Sequence, residues 1–204
     1  MTRTAHLALF DTFPDWEVGH LLAELHTGRF TGEPFEVVSV AETLDPITSM
    51  GGVRMLPDMV LSKLDPADSD LLILPGGENW DRDGAAVFTD AARRFLDAGV
   101  PVAAICGAVF GLAGAGLLDE RDHTGADPGY LAASGYAGGE HYVDARVAVG
   151  GDVVTAGPSS PVQFARATLE HLGLMSGDVA EAYEGVFHRE DVSGYPTLTA
   201  TWAE

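Results

Sequence analysis

Apolar positions along the chain follow two rhythms that alternate from one segment to the next. Runs of strand length occur at His6 to Phe10, Phe35 to Val40, Leu71 to Leu74 and Pro101 to Cys106. Between them, Trp16, Leu21, Leu22 and Leu25 recur at helical spacing, in a helix with Pro14 in its first turn that runs to about His26. Val87, Ala91, Phe95 and Leu96 form a second apolar face over Asp83 to Ala98, closed by Gly99. A run such as LLIL, apolar at every position, reads as a strand covered on both faces of a parallel sheet. Strands that alternate with helices predict an α/β fold, a doubly wound three-layer sandwich whose crossovers bring successive strand ends to one edge.

The other segments are less regular. Ile47 to Leu56 reads as a hairpin or irregular excursion around Gly51 and Gly52, and Pro57 opens a short helix through Leu64. Tyr130 to Ala133 begins a further helix, and Tyr142 to Val149 alternates as a strand that turns at Gly150 and Gly151 into Asp152 to Ala156. Ser159 reads as the N-cap of a helix opened by Pro161, with Phe164, Ala165, Thr168, Leu169 and Leu172 facing inward and Gly173 at its end. Leu174 to Glu204 has no clear period, and Tyr195 to Trp202 fits an edge strand or a partner contact.

Chemistry concentrates in Pro101 to Leu118, PVAAICGAVFGLAGAGLL, where a strand passes into a helix at Cys106, the only cysteine. A strand-to-helix turn at one nucleophilic side chain is a nucleophile elbow, which needs small neighbours so that strand and helix can approach. Ala104, Gly107 and Ala108 meet that need, although an inert buried cysteine fits the segment as well. The topology widens the picture. Glu17 follows the first strand, Gly76 and Gly77 end the LLIL strand, and Cys106 ends the next, so one rule puts them all in a single crevice. Backbone N–H groups of the two glycines there are suited to a developing oxyanion.

Length and composition narrow the function class. The 204 residues, 46% apolar, fit a single domain over 1–204, with a core at about 5–173 and a C-terminal extension at about 174–204. A net charge of -20, from 31 acidic against 11 basic residues, argues against nucleic acid or anionic lipid as partners. No stretch has the length and apolarity of a membrane span, and no basic-plus-apolar leader is visible, so a cytoplasmic location is expected. The seven histidines show no paired ligand spacing, so neither a metal nor another cofactor is expected.

Five motifs in order, FPDWE, LILPGG, AAICGA, the GLL that closes the elbow helix, and VVTAGPSSPVQFA, together resemble the ThiJ/PfpI family of the class I glutamine amidotransferase-like superfamily. The resemblance covers roughly residues 5 to 173. It implies a flavodoxin-like fold, usually homodimeric, with Cys106 as nucleophile and Glu17 as the carboxyl that hydrogen-bonds its sulfur. It further implies an oxyanion loop at Gly76 and Gly77, joined by the backbone of Gly107. A cysteine at a helix N-terminus tends toward the thiolate, and the carboxyl beside it would then hold a proton. Two places where branches of the family carry histidine hold Gly107 and Ala126 instead. His123 lies close by and is the leading candidate for the missing base, ahead of Asp15, Asp127 and His141. The expected function is a cofactor-free cysteine enzyme acting on a small carbonyl or amide compound, by hydrolase, amidotransferase-like, glyoxalase or hydratase chemistry. The alternative is a redox or stress sensor based on reversible oxidation of Cys106.

Overall fold

The computed structural model describes residues 3–81 and 86–200. Among these residues, seven strands form the central sheet in the order β5-β2-β1-β6-β7-β9-β8. They are β1 (Arg3–Ala8), β2 (Phe35–Ala41), β5 (Met59–Val60), β6 (Leu71–Leu74), β7 (Val102–Ile105), β8 (Val147–Gly150) and β9 (Val153–Ala156), and β3 (Ile47–Thr48) and β4 (Arg54–Met55) pair as a separate antiparallel hairpin. All neighbours in the large sheet are parallel except β8 and β9. β6 and β7 are buried at every position, as their unbroken apolar sequences require.

Among the described residues, seven α-helices accompany the sheet: α1 (Asp15–Thr27), α2 (Val87–Asp97), α3 (Gly107–Gly114), α4 (Pro128–Ala132), α5 (Pro161–His171), α6 (Gly177–His188) and α7 (Tyr195–Thr199). α1 and α5 pack together on one face, while α2 and α3 cover the other, with α4 beside α3. The chain leaves β1 toward β2 but returns through β6 on the other side, so the strand order reverses between β1 and β6. Crevices at such a reversal lie at the C-terminal strand ends. Glu17, Gly76, Gly77 and Cys106 all follow the ends of these central strands. The flavodoxin-like doubly wound sandwich expected from the sequence is the fold observed.

Several local expectations change. Pro14 precedes α1 as its N-cap residue and does not lie within the first turn. The segment after Pro57 is no helix: Met59 and Val60 extend beside Val40 and Ala41, followed by a single 3-10 turn at Leu61–Lys63. The predicted start of α2 at Asp83 lies outside the described residues, and its buried face is Phe88, Ala91, Ala92 and Phe95, with Val87 exposed. The helix expected from Tyr130 starts earlier, at Pro128, because the Asp127 side chain accepts the Tyr130 N–H at 3.0 Å. Of the expected strand Tyr142 to Val149, only Val147 onward joins the sheet. Ser160, and not Ser159, is the N-cap residue of α5, and its side chain makes no cap bond. The extension without a visible period is helical: α6 packs on α5 and α7 on α6, with Tyr183 fully buried, so Tyr195 to Thr199 is no edge strand. Among the described residues, no helix is long and apolar enough to cross a membrane.

Candidate active site

Cys106 has φ 59° and ψ -120°, a left-handed backbone conformation that costs a non-glycine residue energy and is held by its surroundings. Two constraints hold it. The Cys106 N–H donates to the Ala156 carbonyl at 2.9 Å, which ties the elbow to β9. On the other side the chain passes straight into α3, whose first residue, Gly107, lies under the Pro75-Gly76-Gly77 turn. A Cβ on Gly107 would fall 2.6 Å from the Gly77 carbonyl oxygen and 3.1 Å from Cδ1 of Trp80. Only a residue without a side chain lets the two turns approach so closely.

Glu17 arrives from the first turn of α1 and is 1% exposed, whereas Cys106 is half-buried. Its Oε2 accepts the Gly76 N–H at 2.7 Å, and the carboxyl also hydrogen-bonds the Cys106 side chain. Gly76 is therefore wedged between the two: a Cβ there would lie 2.6 Å from Cys106 Cβ and 2.6 Å from Glu17 Oε2. The expected oxyanion role changes accordingly. The Gly76 N–H is taken by Glu17, while the N–H groups of Gly77 and Gly107 point at the Cys106 sulfur. Those two are the donors placed at the reacting atom.

Burial pushes the Glu17 carboxyl up to about 7, against the opposing effect of its bonds to Cys106 and Gly76. It therefore exchanges its proton near neutrality, as suits a group that must both accept and return one. The Cys106 thiol is pushed up to about 12 by burial and by the Glu17 charge, and the Gly107 and Gly77 N–H groups only partly offset this. The expectation of a resting thiolate is thus reversed. Burial outweighs the helix N-terminus, and the first proton to leave the pair is that of Glu17.

No sequence motif assigns Trp80 or Tyr130 to this site. Trp80 is 5% exposed, donates from Nε1 to the Pro75 carbonyl at 2.9 Å, and lies across Gly107 and Gly111 of α3. Tyr130 stacks on Phe110 with ring centroids 4.7 Å apart, and its phenol interacts electrostatically with Cys106 and Asp81. The small residues at Gly107 and Gly111, one turn apart on the elbow helix, were the available signal that something large covers them.

His123 is not brought to the sulfur. It is fully buried, its Nδ1 bonds the Arg121 carbonyl oxygen at 2.7 Å and its Nε2 the Tyr136 hydroxyl at 3.0 Å, with Tyr136 and Tyr142 edge-on to its ring. With both ring nitrogens engaged, it ties the His123–Tyr142 bridge beside the sheet and is not the base of Cys106. The weaker candidates are also engaged elsewhere. Asp15 accepts the Gly51 N–H at 2.6 Å, Asp127 caps α4, and His141 pairs with Asp122 at 3.5 Å. Among the described residues, no group of three or more His, Cys, Asp or Glu side chains forms a metal site.

The DJ-1/PfpI family model matches residues 3–171. The "Uncharacterized protease YoaZ" of Bacillus subtilis is 34% identical over 187 residues, covering 89% of each chain. The "Deglycase PH1704" of Pyrococcus horikoshii is 34% identical over 151 residues, 72% of this chain and 87% of that protein. The crystal structure of a thiJ/pfpI family protein from Bacillus anthracis superposes with a TM-score of 0.92 at 32% identity, over 98% of this chain and 97% of the other.

Proposed function

The chain belongs to the DJ-1/PfpI family, and from that premise we propose that it is a cofactor-free cysteine enzyme that adds Cys106 to a small carbonyl or amide compound. One observation carries this reading: a half-buried thiol on a strained elbow has two backbone N–H groups aimed at it and a sealed carboxyl that titrates near 7 at its side. As the sulfur attacks, Glu17 takes the thiol proton. The Gly77 and Gly107 N–H groups line the position where negative charge arises. Glu17 then returns the proton as the adduct resolves. The deglycase name of one relative agrees with carbonyl chemistry. The protease name of another fits less well, because peptide cleavage needs a base that also protonates the leaving amine, and Gly107 and Ala126 occupy the two family positions for histidine.

Purified protein is expected to turn over at least one member of a panel of aldehydes, glyoxals, amides and isonitriles, and Cys106→Ser to abolish that turnover. Turnover unchanged in the variant overturns the assignment. A homodimer in the cytoplasm is part of the same reading.

The absent histidine also supports a second reading, a sensor in which Cys106 is oxidised and Glu17 donates a hydrogen bond to the resulting sulfinate. Mass spectrometry after mild peroxide distinguishes it: Cys106 must gain oxygen while the methionines stay intact.

A further inference from the structure

Glu17 leaves the site with an unmet requirement. A thiol that adds to a carbonyl places charge on the carbonyl oxygen, and that oxygen must gain a proton for the adduct to form. Glu17 is 1% exposed, bonded through Oε2 to Gly76, and directed at the sulfur from the α1 face of the sheet. It is placed to serve the thiol and not an oxygen on the open side. Neither histidine position of the family, Gly107 or Ala126, carries a side chain that can give up a proton.

From the opposite layer, Tyr130 fills that gap. Phe110 lies four residues after Cys106, one turn along α3, and Tyr130 stacks on its ring at 4.7 Å with an interplanar angle of 29°. Helical side chains lean toward the helix N-terminus, so the Phe110 ring, and the Tyr130 ring stacked on it, lie over the turn of α3 that begins at Cys106. α4 is itself pinned: Asp127 caps it at the Tyr130 N–H, and Leu131 is fully buried against Gly125. Tyr130 remains half-buried, open enough to exchange protons with water. Burial, and beside it the Asp81 charge, push its phenol up, which keeps it a neutral donor.

Resting on the carbonyl-addition reading, we propose that Tyr130 is the proton donor to the substrate oxygen at Cys106, working opposite Glu17. The Sγ–C bond forms as the carbonyl π bond breaks, and the thiol proton passes to Glu17. The phenol proton passes to the new alkoxide, and water re-protonates the phenolate. The substrate class that fits is a small aldehyde or dicarbonyl whose oxygen reaches toward α4.

The experiment compares two reactions of Cys106 in the native protein, Tyr130→Phe and Cys106→Ser. One is the rate at which glyoxal blocks Cys106. The other is alkylation by iodoacetamide, which expels iodide and forms no alkoxide, so it needs no proton donor. Tyr130→Phe keeps the ring on Phe110; it is expected to slow glyoxal addition about 100-fold while leaving alkylation within about twofold of native. An unchanged glyoxal rate overturns the role of Tyr130 and leaves the cysteine reading intact. Equal slowing of both reactions also overturns it, by showing that Tyr130 only shapes the pocket. A native Cys106 that is alkylated but never blocked by glyoxal overturns the carbonyl reading, and this proposal with it.

Discussion

Gly76 separates Glu17 from Cys106 by the thickness of one backbone: a Cβ at this position would lie 2.6 Å from Glu17 Oε2 and 2.6 Å from Cys106 Cβ, with the Gly107 nitrogen at 3.0 Å. The glycine is both the spacer of the pair and a donor to one member of it. It brings a carboxyl from one face of the sheet against a thiol on the elbow without a solvent gap.

Gly76→Ala is therefore expected to separate the pair. A displacement of about 1 Å costs on the order of 100-fold in rate, and forcing a methyl into a filled space costs about 1–3 kcal/mol. Carbonyl addition and urea unfolding of the same preparation measure the two effects. A variant with native rate and stability contradicts the spacing described.

Glu17→Gln is expected to lose addition activity yet gain stability. A carboxyl held at about 7 in the fold and near 4.5 when unfolded binds more protons folded, so stability falls as pH rises between those values. At pH 8 the neutral amide escapes a penalty of up to about 3 kcal/mol. Thermal melts of both proteins at acid and alkaline pH check this: the curves should converge near pH 4 and separate above pH 7.

Removing the same charge is expected to lower the thiol, since the Glu17 charge and its hydrogen bond both hold Cys106 up. The iodoacetamide rate of Glu17→Gln, followed against pH, should rise at lower pH than in the native protein. A shift to higher pH contradicts that assignment of causes.

Trp80→Ala is expected to cost about 3–5 kcal/mol, the range for deleting a buried indole. The ring fills the space over Gly107 and Gly111, so its loss also frees the elbow helix. Chemical unfolding monitored by circular dichroism measures it.

What was legible in the sequence follows from how each feature is encoded. The sheet was readable because LLIL and VAAI are apolar at every position, which only a doubly covered strand requires. The convergence of Glu17, the glycines and Cys106 followed from strand order alone. The thiol's state was not readable, because a helix N-terminus and burial oppose each other and only the packed structure decides between them. Proximity to Ala126 in the sequence suggests His123 as a base, but it cannot show the Arg121 and Tyr136 bonds that engage its ring. Tyr130 is not legible for the converse reason, since its place beside the elbow helix comes from its stack on Phe110, which no local pattern encodes. The extension does carry a signal: Val179, Ala180, Tyr183, Val186 and Phe187 recur at helical spacing and turn inward in α6, a short stripe between the glycines and acidic residues that break up the rest of the segment.

The central claim is that Glu17 is the base of Cys106, and the pH dependence of glyoxal addition tests it most directly. Measured from about pH 5 to about pH 9, the native rate should climb through an inflection near the Glu17 value of about 7 and then level, while Glu17→Gln should be slow with no inflection there. A native profile without a break near 7, or the same break retained in Glu17→Gln, would contradict the account.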